Sequence, residues 1–270
     1  MENQTLLETI DPEIADRVVS RREAISRGAS VSSSLAAALA IGSVPIALAA
    51  LARDVGAQSA SDVLDVLQFA LLLEHLEAEF YVRGTDAAGL IPAADRTIFL
   101  TIRGHEVTHV AALQQMIQAK GATPAAKPAF DFTAKGAVPN PFAAGNYAVF
   151  QQLAMAFEDT GVRAYKGQAG RLINDKATLT AALTIHSVEA RHASEVRRLR
   201  GKKGWIVGNS REDLPAFTQG IYDGEQNTVH AGADAAGLGT NNGGVNAVTE
   251  AFDEPLTKDQ VTAIITPFLA

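Results

Sequence analysis

The 270-residue sequence contains no cysteine. That absence excludes a disulfide framework, thiolate zinc sites, iron–sulfur clusters and cysteine nucleophiles together, so any metal must sit on Glu, Asp and His. Positive charge is also short: 23 Lys and Arg face 30 Asp and Glu, a formal net charge of -7, and no basic stripe is interleaved with aromatics. No nucleic-acid partner is expected on that balance. Apolar residues are plentiful. With 47% hydrophobic and 20% charged residues, the chain can bury a full core as one large domain or two small ones.

Charge is missing altogether from residues 29–52, which follow Arg21-Arg22 and end in Ala47-Leu48-Ala49 and Ala50-Leu51-Ala52, both of the small-x-small form that signal peptidase cuts. The pattern resembles a twin-arginine export signal, which implies a periplasmic or cell-envelope location. Against it, Glu2, Glu8, Asp11, Glu13 and Asp16 make the preceding segment acidic, and Glu23 falls where an apolar residue is usual. The alternatives are a retained hydrophobic helix, in a cytoplasmic or membrane-associated protein, and membrane contact through residues 29–52. Pro45 and several serines make the run a poor span.

From Ser61, the residues Val63, Leu67, Ala70, Leu71, Glu74, Ala78 and Tyr81 recur at three- and four-residue steps, the spacing of one helix face. Ser61 is the expected cap and Gly84 the expected stop. Further helices are expected over about Asp95–Ala119, Asn146–Ala169 and Asn174–Arg200. Short links join the first to the second and the third to the fourth. Between the pairs lie about 25 residues with Pro124, Pro128, Pro139 and Pro141, too proline-rich for helix and long enough to run the length of a bundle. Two helical hairpins joined by one long crossover is an all-α, ferritin-like four-helix connectivity. Residues 1–60 form an N-terminal arm in this reading, 61–200 the bundle, and 201–270 an irregular, Gly- and Asn-rich C-terminal arm acting as a lid or packing element. A capping box at Thr257 and Gln260 leads that arm into a short terminal helix.

The second and fourth helices each carry Glu-x-x-His, as Glu106-Val107-Thr108-His109 and Glu189-Ala190-Arg191-His192. The i, i+3 spacing puts both side chains on one face, where they can share a metal ion while the Glu reaches a second. Each copy is preceded by a helix bearing Glu and, seven residues on, Tyr: Glu74 with Tyr81, and Glu158 with Tyr165. Glu74 to Glu106 is 32 positions and Glu158 to Glu189 is 31, so the chain repeats as hairpin, crossover, hairpin. Seven residues are about 10 Å of rise, and a helical tyrosine leans back toward the N-terminus, so each hydroxyl should approach the Glu layer. Four carboxylates and two imidazoles in a bundle core would be very costly without cations, and two divalent ions resolve that cost.

These residues resemble the di-iron and di-manganese carboxylate site of the ferritin-like superfamily, which includes ferritins, bacterioferritins, rubrerythrins and manganese catalases. The resemblance covers about residues 61–200. Residues 73–81, the export-like start and residues 249–257 further resemble bacterial ferritin-like domain proteins related to plant desiccation proteins. The likeness implies two Fe or two Mn ions and an oxidoreductase reacting with dioxygen or peroxide in ferroxidase, peroxidase or catalase fashion. Glu106 and Glu189 would bridge, His109 and His192 would each hold one ion, and Glu74 and Glu158 would be terminal carboxylates. A homo-oligomer is expected.

Several neighbours have two readings. Glu77 is a ligand or ligand neighbour, as an extra Glu is in rubrerythrin-like proteins, or a solvated Glu; its counterpart in the second repeat is Gly161. Tyr81 and Tyr165 are redox-active neighbours or core residues whose hydroxyls need partners. His75 is expected at the helix surface or an interface and Glu79 at the surface, His186 either bonds Glu189 or fills space, and His230 has no evident partner. Two rival functions remain. His105-Glu106-Val107-Thr108-His109 matches His-Glu-x-x-His, the zinc-metalloprotease string, which needs His105 where the dinuclear reading leaves it dispensable. The other is a non-enzymatic exported stress or assembly protein on the same scaffold.

Overall fold

The computed structural model describes residues 60–239 and 243–270. The expected export signal or hydrophobic helix at 29–52 lies outside the described residues, and no helix among them is long and apolar enough to cross a membrane. Four long helices dominate: α1 (Ala60–Asp86), α2 (Ala93–Ala119), α3 (Tyr147–Ala169) and α4 (Lys176–Leu199). Helix α1 packs along α2 and α3 along α4, while α1 against α3 and α2 against α4 close the bundle. Asp175 caps α4 by accepting the Thr178 N–H at 3.0 Å.

Two expected boundaries of α1 differ. The helix already includes Ala60, so Ser61 sits in its first turn rather than at its cap, and Gly84 lies inside it rather than ending it. Gly84 is there for packing. A Cβ at that position would overlap the Phe150 ring, which stacks on Phe80 with centroids 4.7 Å apart. The stop comes at Gly89, whose φ of 71° is left-handed.

Residues 120–146 cross over along the bundle, and Phe130, Phe132 and Val138 from that stretch enter the core. The core has two apolar halves. An aromatic-rich one contains Phe80, Phe99, Phe150 and Phe157, and an aliphatic one contains Val66, Leu67, Leu71, Leu113 and Ile117. The Glu and His residues of interest lie where these halves meet.

The C-terminal arm packs into the bundle core. It holds a two-residue hairpin, β1 (Val229–His230) with β2 (Ala233–Asp234), and two short helices, α5 (Val245–Thr249) and α6 (Lys258–Ile265). The capping box at α6 forms as expected. Ile221, Tyr222, Leu256, Val261, Ile265 and Phe268 bury themselves in the aromatic half of the core. Gly167 allows the approach: its missing Cβ would overlap the Leu256 carbonyl, and Leu256 N–H donates to the Arg163 carbonyl at 3.1 Å. Arg163 is itself buried, donating to the carbonyls of Ile221, Asp223 and Glu254 and facing the Glu225 carboxylate at 2.8 Å. Arg197 holds Asp159 through two bonds of 2.6 and 2.9 Å, and Tyr222 donates to the same carboxylate at 2.7 Å. Removing one member of such a buried set strands the other charge, so these pairs tie the arm to α3 and α4.

Candidate metal centre

Glu74, Glu106, Glu158 and Glu189, one from each long helix, are all fully buried. The i, i+3 spacing sets His109 beside Glu106 and His192 beside Glu189, as helix geometry requires. Their ligand-capable atoms form two groups, each within 4.8 Å: Glu74, Glu106, His109 and Glu189 in one, and Glu106, Glu158, Glu189 and His192 in the other. Glu106 and Glu189 belong to both. The structure thus brings together all six residues singled out by the repeat, and it omits His105 from both groups.

Both imidazoles turn Nδ1 inward. His109 Nδ1 lies 3.2 Å from Glu74 Oε2, 3.2 Å from Glu106 Oε2 and 3.1 Å from Glu189 Oε1. His192 Nδ1 lies 2.8 Å from Glu106 Oε1 and 3.4 Å from Glu158 Oε2. Yet His192 Nδ1, Glu106 Oε1, Glu158 Oε2 and both Glu189 oxygens have no aligned hydrogen bond. Lone pairs that converge without bonding one another fit the geometry of ligands around a cation, which would satisfy the buried carboxylate oxygens. The donor set, carboxylates with two imidazoles and no thiolate, suits iron or manganese.

In the metal-free protein, protons must serve instead. Burial pushes Glu74 up to about 8, against the pull of His109. Burial acts on Glu106 in the same sense, but bonds from His109 and His192 overcome it and lower its pKa to about 2. Burial disfavours the charged imidazoles, yet the surrounding carboxylates raise His109 to about 12 and His192 to about 11. Glu189 and Glu77 are pushed well above the usual carboxylate range, first by burial and then by neighbouring carboxylates.

The tyrosines reach the Glu layer, but each bonds the opposite hairpin. Tyr81 donates to Glu158 Oε1 and Tyr165 to Glu74 Oε1, both at 2.5 Å. Burial and the adjacent carboxylates hold both phenols well above their ordinary pKa. Glu77 is buried, which removes its solvated reading. A Cβ on Gly161 would stand 3.2 Å from Glu77 Oε1 and 3.1 Å from Glu189 Oε2, so the glycine leaves room for two carboxylates side by side.

The remaining histidines divide differently from expectation. His75 is buried, not superficial, and its Nε2 has no partner; burial and then Lys127 lower its pKa. His75 lies about 100° round the helix from Glu74, so this flank of α1 is covered too, which helix periodicity alone does not reveal. His186 makes no bond to Glu189, whose oxygens have no hydrogen bond, and meets the Val162 backbone instead. Glu79 is part-exposed and pairs with Lys127 and Arg83. His230 stacks on Phe252 with centroids 3.7 Å apart and lies 3.5 Å from Glu254. Sequence reasoning weighed His105 only as a zinc ligand and missed its contact with His192: its Nδ1 lies 2.9 Å from His192 Nε2. Its place directly before Glu106, one turn from His109, was the available signal.

The family model of the ferritin-like domain matches residues 62–202, more than half of the chain. The chain belongs to the ferritin-like domain family. No curated protein matches it. The ferritin-like match spans all four long helices and all six residues of the two groups. Those groups are compatible with a dinuclear metal site.

Proposed function

We propose that this ferritin-like protein holds two iron or two manganese ions and acts as an oxidoreductase toward dioxygen or peroxide. The observation that carries this reading is that the two ligand groups share Glu106 and Glu189. Carboxylates shared in this way would hold two cations side by side, and a bound pair of redox-active ions would supply the electrons for reducing a small oxidant. Glu106 and Glu189 would serve both ions, His109 and His192 would each hold one through Nδ1, and Glu74 and Glu158 would each add a carboxylate to one of them. Tyr165 and Tyr81 fix these last two carboxylates by each donating to one Oε1, which leaves Glu158 Oε2 without a hydrogen bond and Glu74 Oε2 facing His109 Nδ1. Glu77 stands by as a fifth carboxylate beside Glu189, able to take or release a proton as charge in the layer changes. The apolar halves of the core on either side exclude bulk water.

Placement of His105 outside both groups disfavours a zinc-metalloprotease, which needs His105 and His109 on one ion. Export through residues 29–52, homo-oligomerisation and kinship with desiccation-related proteins belong to the same proposal; they rest on the sequence features at residues 20–52, 73–81 and 249–257.

The test is elemental analysis after chelation and reloading with Fe(II) or Mn(II), followed by oxidation with dioxygen or peroxide under spectroscopic observation. About two ions per chain and turnover are expected, with Glu189→Ala losing both ions. A folded protein with a stoichiometry near zero refutes the dinuclear reading. Two ions without turnover leave the bundle as a non-enzymatic scaffold.

A further inference from the structure

The two halves of the site are not equivalent, and the difference lies outside the six residues. His192 presents Nδ1 to Glu106 and Glu158, so its Nε2 faces away from the carboxylates and meets His105 Nδ1 at 2.9 Å. The two rings lie 14° from parallel with centroids 5.2 Å apart. His105 is on α2 and His192 on α4, so the contact spans two helices of different hairpins. In the second repeat the position before Glu189 is Val188, which carries no polar side-chain atom. No matching imidazole is therefore supplied from α4 toward His109.

An imidazole that offers Nδ1 to a cation must carry its hydrogen on Nε2. His192 then donates Nε2–H, and His105 Nδ1 is the acceptor. Building on the dinuclear reading, we propose that His105 is a positioning residue: it fixes the tautomer and ring orientation of His192 and so makes the His192 subsite the tighter of the two. Partners of this kind typically change metal affinity by about 10- to 100-fold. His105 is exposed, so its replacement should leave the core intact.

The experiment is a Mn(II) titration of the chelated full-length protein, with free Mn(II) read by electron paramagnetic resonance. Wild type should show two unequal steps. His105→Phe, which keeps the ring and removes the acceptor, should weaken the tighter step about 10- to 100-fold and spare the other. His105→Gln, whose Oε1 can accept, should restore it. In Zn(II)-loaded wild type, nitrogen-15 spectra should show His192 protonated at Nε2 and slow to exchange, and this protection should vanish in His105→Phe. Two ions bound alike by wild type and His105→Phe, or a loss that His105→Gln fails to reverse, overturns this inference alone. Wild type that takes up no Mn(II) overturns the dinuclear reading and this inference together.

Discussion

Replacing Gly161 with alanine tests whether the site needs the space beside Glu77 and Glu189. Alanine in a helix interior is favoured over glycine by about 1 kcal/mol, so an unobstructed glycine should gain stability when changed. Gly104 supplies that reference: it lies inside α2, and nothing stands within 4 Å of a Cβ built there. Gly104→Ala should stabilise the protein by about 0.5–1 kcal/mol, a rise in Tm of about 2–4 °C at most. At Gly161 the Cβ would stand 3.1 Å from Glu189 Oε2 and 3.2 Å from Glu77 Oε1, tighter than ordinary contact. In the metal-free protein these side chains can yield by a few tenths of an ångström, and most of the helix gain should survive. With metal bound, Glu189 is held, and crowding should offset the gain by about 1 kcal/mol, which is about a fivefold loss of metal affinity. Thermal unfolding with and without Mn(II), run on both variants, measures the difference. If both gain equally in both states, the space at Gly161 has no bearing on the metals and the glycine serves helix packing alone.

Four further outcomes follow from the same geometry. At pH 7 the metal-free His109 and His192, raised to about 12 and about 11, both carry protons that ions must displace; loading should release at least two protons and tighten as pH rises, as calorimetry in buffers of different ionisation enthalpy would show. For Glu74, raised from 4.5 to about 8, the metal-free folded state binds more protons than the unfolded one between those values; its contribution to stability is full below 4.5 and is lost as pH rises through 8, and a flat Tm across that window would contradict the burial argument. Tyr81→Phe removes the 2.5 Å bond to Glu158 and should weaken the ion on the His192 side, not the one nearer Tyr81's own Glu74, by about 1–2 kcal/mol in competition titrations. Gly167→Ala should gain about 1 kcal/mol of helix propensity but lose more by displacing Leu256, whose burial and hydrogen bond together contribute about 2–3 kcal/mol, so chemical denaturation should show net destabilisation.

Much of this architecture is readable from local periodicity. Three- and four-residue spacing marks α1 to α4, the proline-rich stretch marks the crossover, and two i, i+3 Glu–His pairs on the second and fourth helices mark one inward face each, because helix geometry determines which residues share a face without reference to any partner. The internal repeat goes one step further and groups the six residues before any packing is known. What the one-dimensional pattern lacks is the rotation and pairing of the helices. Only the assembled bundle decides that Tyr81 bonds Glu158 and Tyr165 bonds Glu74, since a leaning side chain can meet either its own helix or its neighbour. Burial of His75 and Glu77 likewise depends on what covers each face, not on its spacing. Gly84 reads in sequence as a helix stop, yet it and Gly167 are both openings for a partner, Phe150 in one case and the Leu256 backbone in the other. His105 illustrates the limit most sharply: its neighbours in sequence pointed to zinc, while its neighbour across the bundle is the outward nitrogen of His192.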